Sequence, residues 1–138
     1  IIEKGKLKKK MIKKIKINKL EKKISIFNYK NNIFDYIKKS NAVIIPSLWE
    51  DPGFVMIEAA YLKKSIICSN CSSGPKEFLQ KNDAGFLFKN NDLVSLKKTL
   101  ENYEKTSKRL KNKKIQNAHQ NSKIYTIRNH YNIINKYL

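Results

Sequence analysis

The sequence predicts an α/β fold in which helices flank a parallel, doubly wound sheet. Two observations predict it: short apolar runs recur along the chain, and segments with apolar residues at helical spacing lie between them. Such alternation is typical of parallel sheets. The 138 residues are 41% hydrophobic, enough for one domain with a core despite a net charge of +19. No apolar run approaches the ~20 residues of a membrane span.

The N-terminal third carries three strand signals separated by two helices. Residues 1–2 form the stub of a strand, and a helix follows on which apolar residues recur among lysines, namely Leu7, Met11 and Ile15. Residues 24–27 predict a short strand, and the next helix has one apolar face, formed by Ile33, Tyr36 and Ile37. The continuous apolar run at 42–45 predicts a strand that is covered on both faces of the sheet.

Two further strand and helix units follow. In order, we predict a loop at 47–53, a helix through Tyr61, a strand at 65–68, a polar loop at 69–74 and a strand at 85–88. Pro75 opens a helix after the second loop, because proline is favoured in the first turn. The Asp92 side chain is placed to cap a last helix, which runs through Leu96 and Leu100.

The tail differs in composition from the body, and we therefore divide the chain into residues 1–104 and residues 105–138. The second segment carries no acidic residue, and its apolar residues are sparse from Ser107 to Ser122 and become frequent again after Ser122. It predicts one or two helices with an apolar stripe and a basic face. We expect this tail to pack against the body, with contact to a membrane surface or a partner as the alternative.

The excess of basic residues is almost entirely lysine. All but Arg109 and Arg128 of the 30 basic residues are lysines, and a surface evolved to read bases or phosphates favours arginine. We interpret most of the lysines as solvated faces and expect no nucleic-acid partner, although a basic nucleic-acid-binding module stays an alternative. A folded domain without a membrane span predicts a cytoplasmic protein, with peripheral contact to the inner face of the membrane left open.

Cys68 and Cys71 are the only cysteines, and the sequence has no second C-x2-C pair. A structural zinc site needs two more ligands at suitable spacing, whereas His119 and His130 lie far downstream. We therefore expect two reduced thiols and no metal ion.

The loop at 47–53 is the first candidate site, since ligands of open parallel sheets bind at the carboxyl ends of strands. Glu50 lies in the loop and Glu58 about one turn into the following helix, so both can face one crevice. Gly53 allows close backbone approach, and the helix start offers amides to a phosphate. Carboxylates accept hydrogen bonds from vicinal hydroxyls, which suits a sugar nucleotide. Two ordinary surface acids are the alternative interpretation.

The loop before Pro75 is the second candidate. Gly74 and Glu77 meet another helix start and can line the same crevice. Glu77 can equally be a first-turn acid that stabilises the helix dipole.

The segment 46–59 carries a resemblance to a known family. It fits the pattern P-S-x-x-E-x-x-G-x-x-x-x-E-A and resembles the E-x7-E signature of the retaining family-4 glycosyltransferases. The segments 73–77 and 85–88 follow at the expected distances. Residues 2–5 are similar to the family's V-G-x-G turn, with Glu3 where glycine is usual. Together the resemblance covers about residues 1–104.

The resemblance implies the C-terminal, Rossmann-like half of a GT-B glycosyltransferase, which binds a nucleotide-sugar such as a UDP- or GDP-sugar. Glu50 would be the catalytic-site carboxylate on the donor sugar, and Glu58 would contact the ribose. Amides of Gly53, Phe54 and Val55 would approach the sugar and diphosphate. The implied reaction transfers the sugar to an acceptor glycan or lipid with retention of configuration and without a metal ion.

The same resemblance implies that parts of the enzyme lie outside this sequence. The family's acceptor-binding domain and the first strand and helix of the donor domain, with its Arg/Lys pair, have no counterpart here. We therefore expect a fragment, truncated at its N-terminal end, that is not active alone. A split or regulatory subunit that pairs with a separate acceptor domain is the alternative.

Overall fold

The computed structural model describes residues 1–2, 5–51, 53–71 and 74–136. Expectations for Glu3 in the turn, for Pro52 in the signature and for Ser72 and Ser73 in the second loop lie outside the described residues. The internal contacts divide the chain into two units, Ile1–Ile33 and Phe34–Leu138. The division predicted at residue 104 from composition stays a prediction.

In the described residues of the first unit, one helix, α1, occupies Lys8–Ile17, and an isolated parallel bridge joins Ile2 and Phe27. The Phe27 amide donates to the Ile1 carbonyl over 2.8 Å. The stub of a strand predicted at 1–2 does pair, through Ile2, whereas the strand predicted at 24–27 is wrong in extent, because it pairs only at Phe27. The reason is local, because the Ile24 amide donates to the Leu20 carbonyl and so begins that segment in a turn.

The second unit is built on a three-stranded parallel sheet in the order β1-β2-β3, as predicted for an α/β chain. Its strands are Ala42–Ile45, Ser65–Asn70 and Phe86–Lys89. α3 connects β1 to β2, whereas α4 and a 3-10 turn connect β2 to β3; these segments are Phe54–Tyr61, Pro75–Phe78 and Gln80–Asn82. Parallel register places the carboxyl ends of all three strands at one edge.

The core of this unit lies around β2 and β3. Ile67, Phe86 and Phe88 are buried together, and α5 (Leu93–Lys105) covers them with partly buried side chains, namely Leu96, Leu100 and Tyr103. The prediction that β1 is covered on both faces is wrong, because Ile44 is 47% exposed at the edge of the described sheet. Apolar composition alone cannot tell an edge strand from a central one.

Two helices begin where the sequence predicts. α2 occupies Ile33–Lys39, and Asp92 caps α5 as predicted, with its Oδ1 accepting a 2.9 Å hydrogen bond from the Ser95 amide. A cap of this kind contributes about 1 kcal/mol.

The tail forms α6 at Lys108–Ser122, a 3-10 turn and α7 at Ile127–Ile134. α6 packs on α3, with Ala118 buried and the His119 ring 6.0 Å from the Tyr61 ring. The tail therefore packs against the body as expected, through α6, whereas Ile127 of α7 is 91% exposed. No helix in the described part of the chain is long and apolar enough to cross a bilayer.

Candidate functional site

The loop between β1 and α3 is fastened to the sheet by hydroxyl groups. The Ser47 hydroxyl donates to Oε1 of Glu50 over 2.5 Å, and the buried Ser69 hydroxyl of β2 donates to the Ser47 carbonyl. Glu50 is therefore held in place rather than extended into solvent. A positioned carboxylate loses less entropy than a mobile one when it binds a hydroxyl-bearing ligand.

Gly53 begins α3 and lies against this carboxylate. Its φ of +82° is in the left-handed region, and its carbonyl accepts the first helical hydrogen bonds, from Met56 and Ile57. A Cβ atom on Gly53 would lie 3.2 Å from Oε2 of Glu50. The positive dipole end of the helix lies close to the Glu50 carboxylate.

The first residues of α3 are exposed, and the residues of its opposite face are buried. Phe54 and Val55 are exposed, whereas Met56, Ala59 and Ala60 are buried and anchor the helix. The amides of Phe54 and Val55 belong to the first turn, where helical backbone donors lack internal partners. The start of α3 thus has the requirements of a phosphate-binding position.

Glu58 is a partly buried acid in the same helix. Burial raises the pKa of its carboxyl above the ordinary value of 4.5. A carboxylate with incomplete hydration gains more from a hydrogen-bonding hydroxyl than a fully solvated one does. This property fits a ligand contact.

Gly74 and Glu77 lie in another part of the same sheet edge. They line an open cavity of about 560 Å³ together with Lys76, Gln80 and Lys81. Neither Glu50 nor Glu58 lines it. The expectation that both loops share one crevice stays a prediction.

A neighbouring cavity of about 440 Å³ was not anticipated from the sequence. It opens at the ends of β2 and β3, and its described lining consists of Asn70, Lys76, Lys81, Asn82, Leu87, Phe88, Lys89 and Asn90. Asn90 connects it to the first loop, because its Nδ2 donates to the Leu48 carbonyl over 2.9 Å. The only sequence signal was the position of Asn70 and Lys89 at strand ends.

The two cysteines are free and buried. Burial, and then the nearby charges of Cys71 and Glu50, raise the pKa of the Cys68 thiol to about 12. Such a thiol is unreactive near neutral pH, since the thiolate is the reactive form. Among residues 1–2, 5–51, 53–71 and 74–136, no three His, Cys, Asp or Glu side chains are grouped as metal ligands.

Comparisons with known proteins agree with the resemblance found in the sequence. The family model described as "Glycosyl transferases group 1" matches residues 1–121. An uncharacterized glycosyltransferase of Methanocaldococcus jannaschii is 33% identical over 79 residues, which is 57% of this chain and 20% of that protein.

A second relative is the N-acetylgalactosamine-N,N'-diacetylbacillosaminyl-diphospho-undecaprenol 4-alpha-N-acetylgalactosaminyltransferase of Campylobacter jejuni. It is 28% identical over 116 residues, covering 82% of this chain and 32% of that protein. The chain thus spans a fifth to a third of the length of these two relatives.

Solved structures share the fold. A TarM variant from S. aureus, in complex with Fondaparinux, alpha-GlcNAc-glycerol and UDP, matches with a TM-score of 0.83 at 23% identity. The match covers 99% of this chain and 27% of that one. A glycosyltransferase from Rickettsia africae matches with a TM-score of 0.74 at 22% identity, over 88% and 33% of the two chains.

Proposed function

Because the chain belongs to the group 1 glycosyltransferases, we propose that it is the donor-binding part of an enzyme that transfers a sugar from a nucleotide-sugar to an acceptor glycan or lipid. One observation carries the proposal. The Glu50 carboxylate is held by Ser47 at the start of α3, beside a glycine whose missing side chain leaves room for it. An acid and a set of first-turn amides are thereby adjacent, as a sugar diphosphate requires.

The roles divide along α3. Glu50 accepts hydrogen bonds from hydroxyls of the donor sugar, and the amides of Gly53, Phe54 and Val55 approach the sugar and the diphosphate. Glu58, one turn further, accepts hydrogen bonds from the ribose. Gly74 and Glu77 complete the donor site from the second loop.

In the proposed reaction, the bond between the anomeric carbon and the diphosphate oxygen breaks as an acceptor oxygen attacks on the same face. The nucleoside diphosphate leaves with the bonding electron pair, its departing oxygen takes the proton of the acceptor hydroxyl, and the configuration is retained. Amides at the helix start stabilise the leaving diphosphate, so the proposal requires no metal ion.

Acceptor binding is assigned to parts of the enzyme beyond these 138 residues, because the chain spans only a minor part of its relatives. We therefore propose that this chain binds the nucleotide-sugar donor but does not catalyse sugar transfer by itself. A relative from Staphylococcus aureus, 27% identical over 89 residues, is named a poly(ribitol-phosphate) alpha-N-acetylglucosaminyltransferase. An N-acetylated amino sugar is accordingly the first donor to test.

Calorimetric titration with UDP, UDP-N-acetylglucosamine and GDP-mannose tests the proposal. We expect Glu58→Ala to weaken the binding of both the free nucleotide and its sugar derivative, by about tenfold, because it removes a hydrogen bond to the ribose. Glu50→Ala should weaken only the sugar derivative.

The matched control is Glu104→Ala, which removes an exposed acid of α5. Unchanged affinity in both site variants, or an equal loss in the control, would contradict the proposed roles.

A further inference from the structure

The loop that carries Glu50 is held by side chains from both other strands of the described sheet. Ser69 lies in β2, and its buried hydroxyl donates to the Ser47 carbonyl. Asn90 directly follows β3, and its Nδ2 donates to the Leu48 carbonyl over 2.9 Å. Two consecutive carbonyls of the loop are therefore held by separate strands, whose donor residues lie 22 and 42 residues further along the chain.

The register of the parallel sheet explains how β2 reaches this loop. Ile45 is the last residue of β1 and pairs with Cys68, so Ser69 is the first residue of β2 beyond the end of β1. From that point β2 continues to Asn70 and pairs with β3 alone. The Ser69 hydroxyl therefore lies level with the place where the chain leaves β1 and enters the loop.

The contact of Asn90 crosses the end of the middle strand. Because the strand order is β1-β2-β3, a hydrogen bond from the residue after β3 to the loop after β1 requires that the loop lies across the carboxyl end of β2. The Glu50 carboxylate lies close to the same strand end, since its charge adds to the raised pKa of Cys68, behind burial and the charge of Cys71. The loop is therefore held over the edge at which parallel sheets bind their ligands.

Glu50 is connected to these two contacts through Ser47. The Ser47 hydroxyl donates to Oε1 of Glu50 over 2.5 Å. The backbone that carries this hydroxyl is held in turn by Ser69 and Asn90. The other end of the loop is fixed at Gly53, which begins α3. A carboxylate supported in this way loses little conformational freedom when it binds a ligand, and less free energy is spent on ordering it.

The stability of the fold alone does not explain Asn90. Its Oδ1 is buried and has no hydrogen-bond partner among the described residues. A buried acceptor without a donor is costly, and a smaller side chain at this position would avoid that cost. In natural proteins, departures of this kind from good local design are concentrated at functional sites. The side-chain amide therefore points to a role in placing the loop.

We propose that Ser69 and Asn90 are positioning residues for Glu50. They act through the loop backbone, at the carbonyls of Ser47 and Leu48, and keep the carboxylate oriented toward the hydroxyls of the donor sugar. This role rests on the proposed function, in which Glu50 binds that sugar, and it adds to the site two residues that lie outside the E-x7-E segment. Binding of the sugar, and not of the nucleotide, therefore depends on them.

Calorimetric titration of the chain with UDP and UDP-N-acetylglucosamine tests this role. We expect Ser69→Ala and Asn90→Ala each to bind the sugar nucleotide about threefold to tenfold more weakly, because a mobile carboxylate must be ordered on binding. The affinity for UDP should stay within about twofold of the parent, since the proposed ribose contact of Glu58 is a separate one. In a Glu50→Ala background neither substitution should weaken binding further, because the residue through which both act is gone.

The matched controls remove the same chemical groups elsewhere. Ser65→Ala truncates a buried serine at the opposite end of β2, and Asn102→Ala truncates an exposed asparagine of α5. Both should bind UDP-N-acetylglucosamine as the parent does. Equal losses in the controls, equal losses for UDP and its sugar derivative, or a further loss in the Glu50→Ala background would overturn the proposal and indicate a general effect on the fold.

The thermal stability of Asn90→Ala adds a readout that a purely structural role would move. This variant loses one hydrogen bond but also the unpaired buried oxygen, so its unfolding midpoint should lie within about 3 °C of that of the parent. Weaker sugar binding at nearly unchanged stability supports positioning. A large drop in the midpoint with unchanged sugar binding would overturn it.

Amide NMR signals recorded without ligand separate this proposal from the donor function. Ser69→Ala and Asn90→Ala should each shift the signals of residues 47–51 and leave those of residues 56–61 in place. If these shifts occur but the chain binds neither UDP nor UDP-N-acetylglucosamine, the donor function fails and the positioning of the loop stands. If both ligands bind and the signals of residues 47–51 do not move, the donor function stands and the positioning role is overturned.

Discussion

The Glu50 carboxylate occupies the space beside Gly53 that a side chain at position 53 would need. The separation between Oε2 of Glu50 and a Cβ atom on Gly53 would be 3.2 Å, and the Gly53 φ of +82° is one that other residues rarely adopt. Glycine is therefore required at this position on two grounds, backbone conformation and room for the acid. The glycine thereby allows the Glu50 carboxylate to lie next to the start of α3.

Gly53→Ala is expected to lower the free energy of unfolding by about 1–2 kcal/mol, because a left-handed alanine is strained. It should also displace Glu50 and weaken nucleotide-sugar binding. Urea unfolding and calorimetric titration measure the two effects. In a Glu50→Ala background the collision is gone, so the stability loss should shrink; an identical loss in both backgrounds would show that the carboxylate does not contact position 53.

Glu58→Gln is expected to stabilise the chain at neutral pH while weakening nucleotide binding. Burial raises the pKa of Glu58, so the folded chain binds this proton more tightly than the unfolded chain does. The parent therefore loses stability as pH rises through and above the ordinary value of 4.5, when the carboxyl ionises in the fold. Glutamine cannot ionise and removes that loss.

Urea midpoints between pH 4 and pH 8 check this expectation for Glu58. The parent and the Glu58→Gln variant should converge at the acid end and separate toward neutral pH, with the variant more stable. The urea midpoint of Glu104→Gln, a variant at an exposed site, should change with pH in the same way as that of the parent. A parent that gains stability relative to Glu58→Gln as pH rises would contradict the direction of the pKa change.

Gly85→Ala is expected to cost about 1–3 kcal/mol by overpacking. A Cβ atom on Gly85 would lie 2.9 Å from Cδ2 of Leu79 and 3.0 Å from the Ile66 carbonyl oxygen. The carbonyl belongs to β2 and cannot move without distorting the sheet. Thermal unfolding measures the loss, and a change below about 0.5 kcal/mol would show that β3 can shift at its start.

Lys114→Met is expected to lower stability by about 1 kcal/mol, because the carbonyls of Asn82 and Gly85 lose their donor. Methionine keeps an apolar stem near the Phe86 ring, over which the Lys114 ammonium lies at 5.0 Å. The amide signals of residues 80–82 should shift when the hydrogen bonds from Lys114 to these carbonyls are lost. Lys113→Met, at an exposed neighbouring position, is the control and should leave those signals unchanged.

The sequence predicted the parts of the fold that depend on local pattern. The apolar run Ala42–Ile45 is β1, and Asp92 caps α5, because strand composition and capping chemistry act within a few residues. The bridge at Phe27 and the exposure of Ile44 were not predictable in this way. Both depend on which backbone lies alongside, which periodicity does not report.

The candidate site shows the same division. Glu50, Gly53 and Glu58 stand in one short segment, so their spacing carried the prediction of a donor site. Lys76, Lys81 and Lys89 lie apart in the sequence, and only the loop that contains Lys76 was predicted to line a crevice, because most lysines were interpreted as solvated faces. They line one cavity only because β2 and β3 end at the same edge and three consecutive residues turn through positive φ.

The most direct test of the central claim is a two-dimensional amide NMR titration of the chain with UDP-N-acetylglucosamine. The account predicts dispersed signals, with saturable shifts concentrated at residues 53–58 and abolished in Glu58→Ala. The contradicting result is a folded chain, with dispersed signals, in which the signals of residues 53–58 do not shift on addition of UDP-N-acetylglucosamine. The parent and Glu58→Ala would then give the same titration, and no donor site would lie at the start of α3.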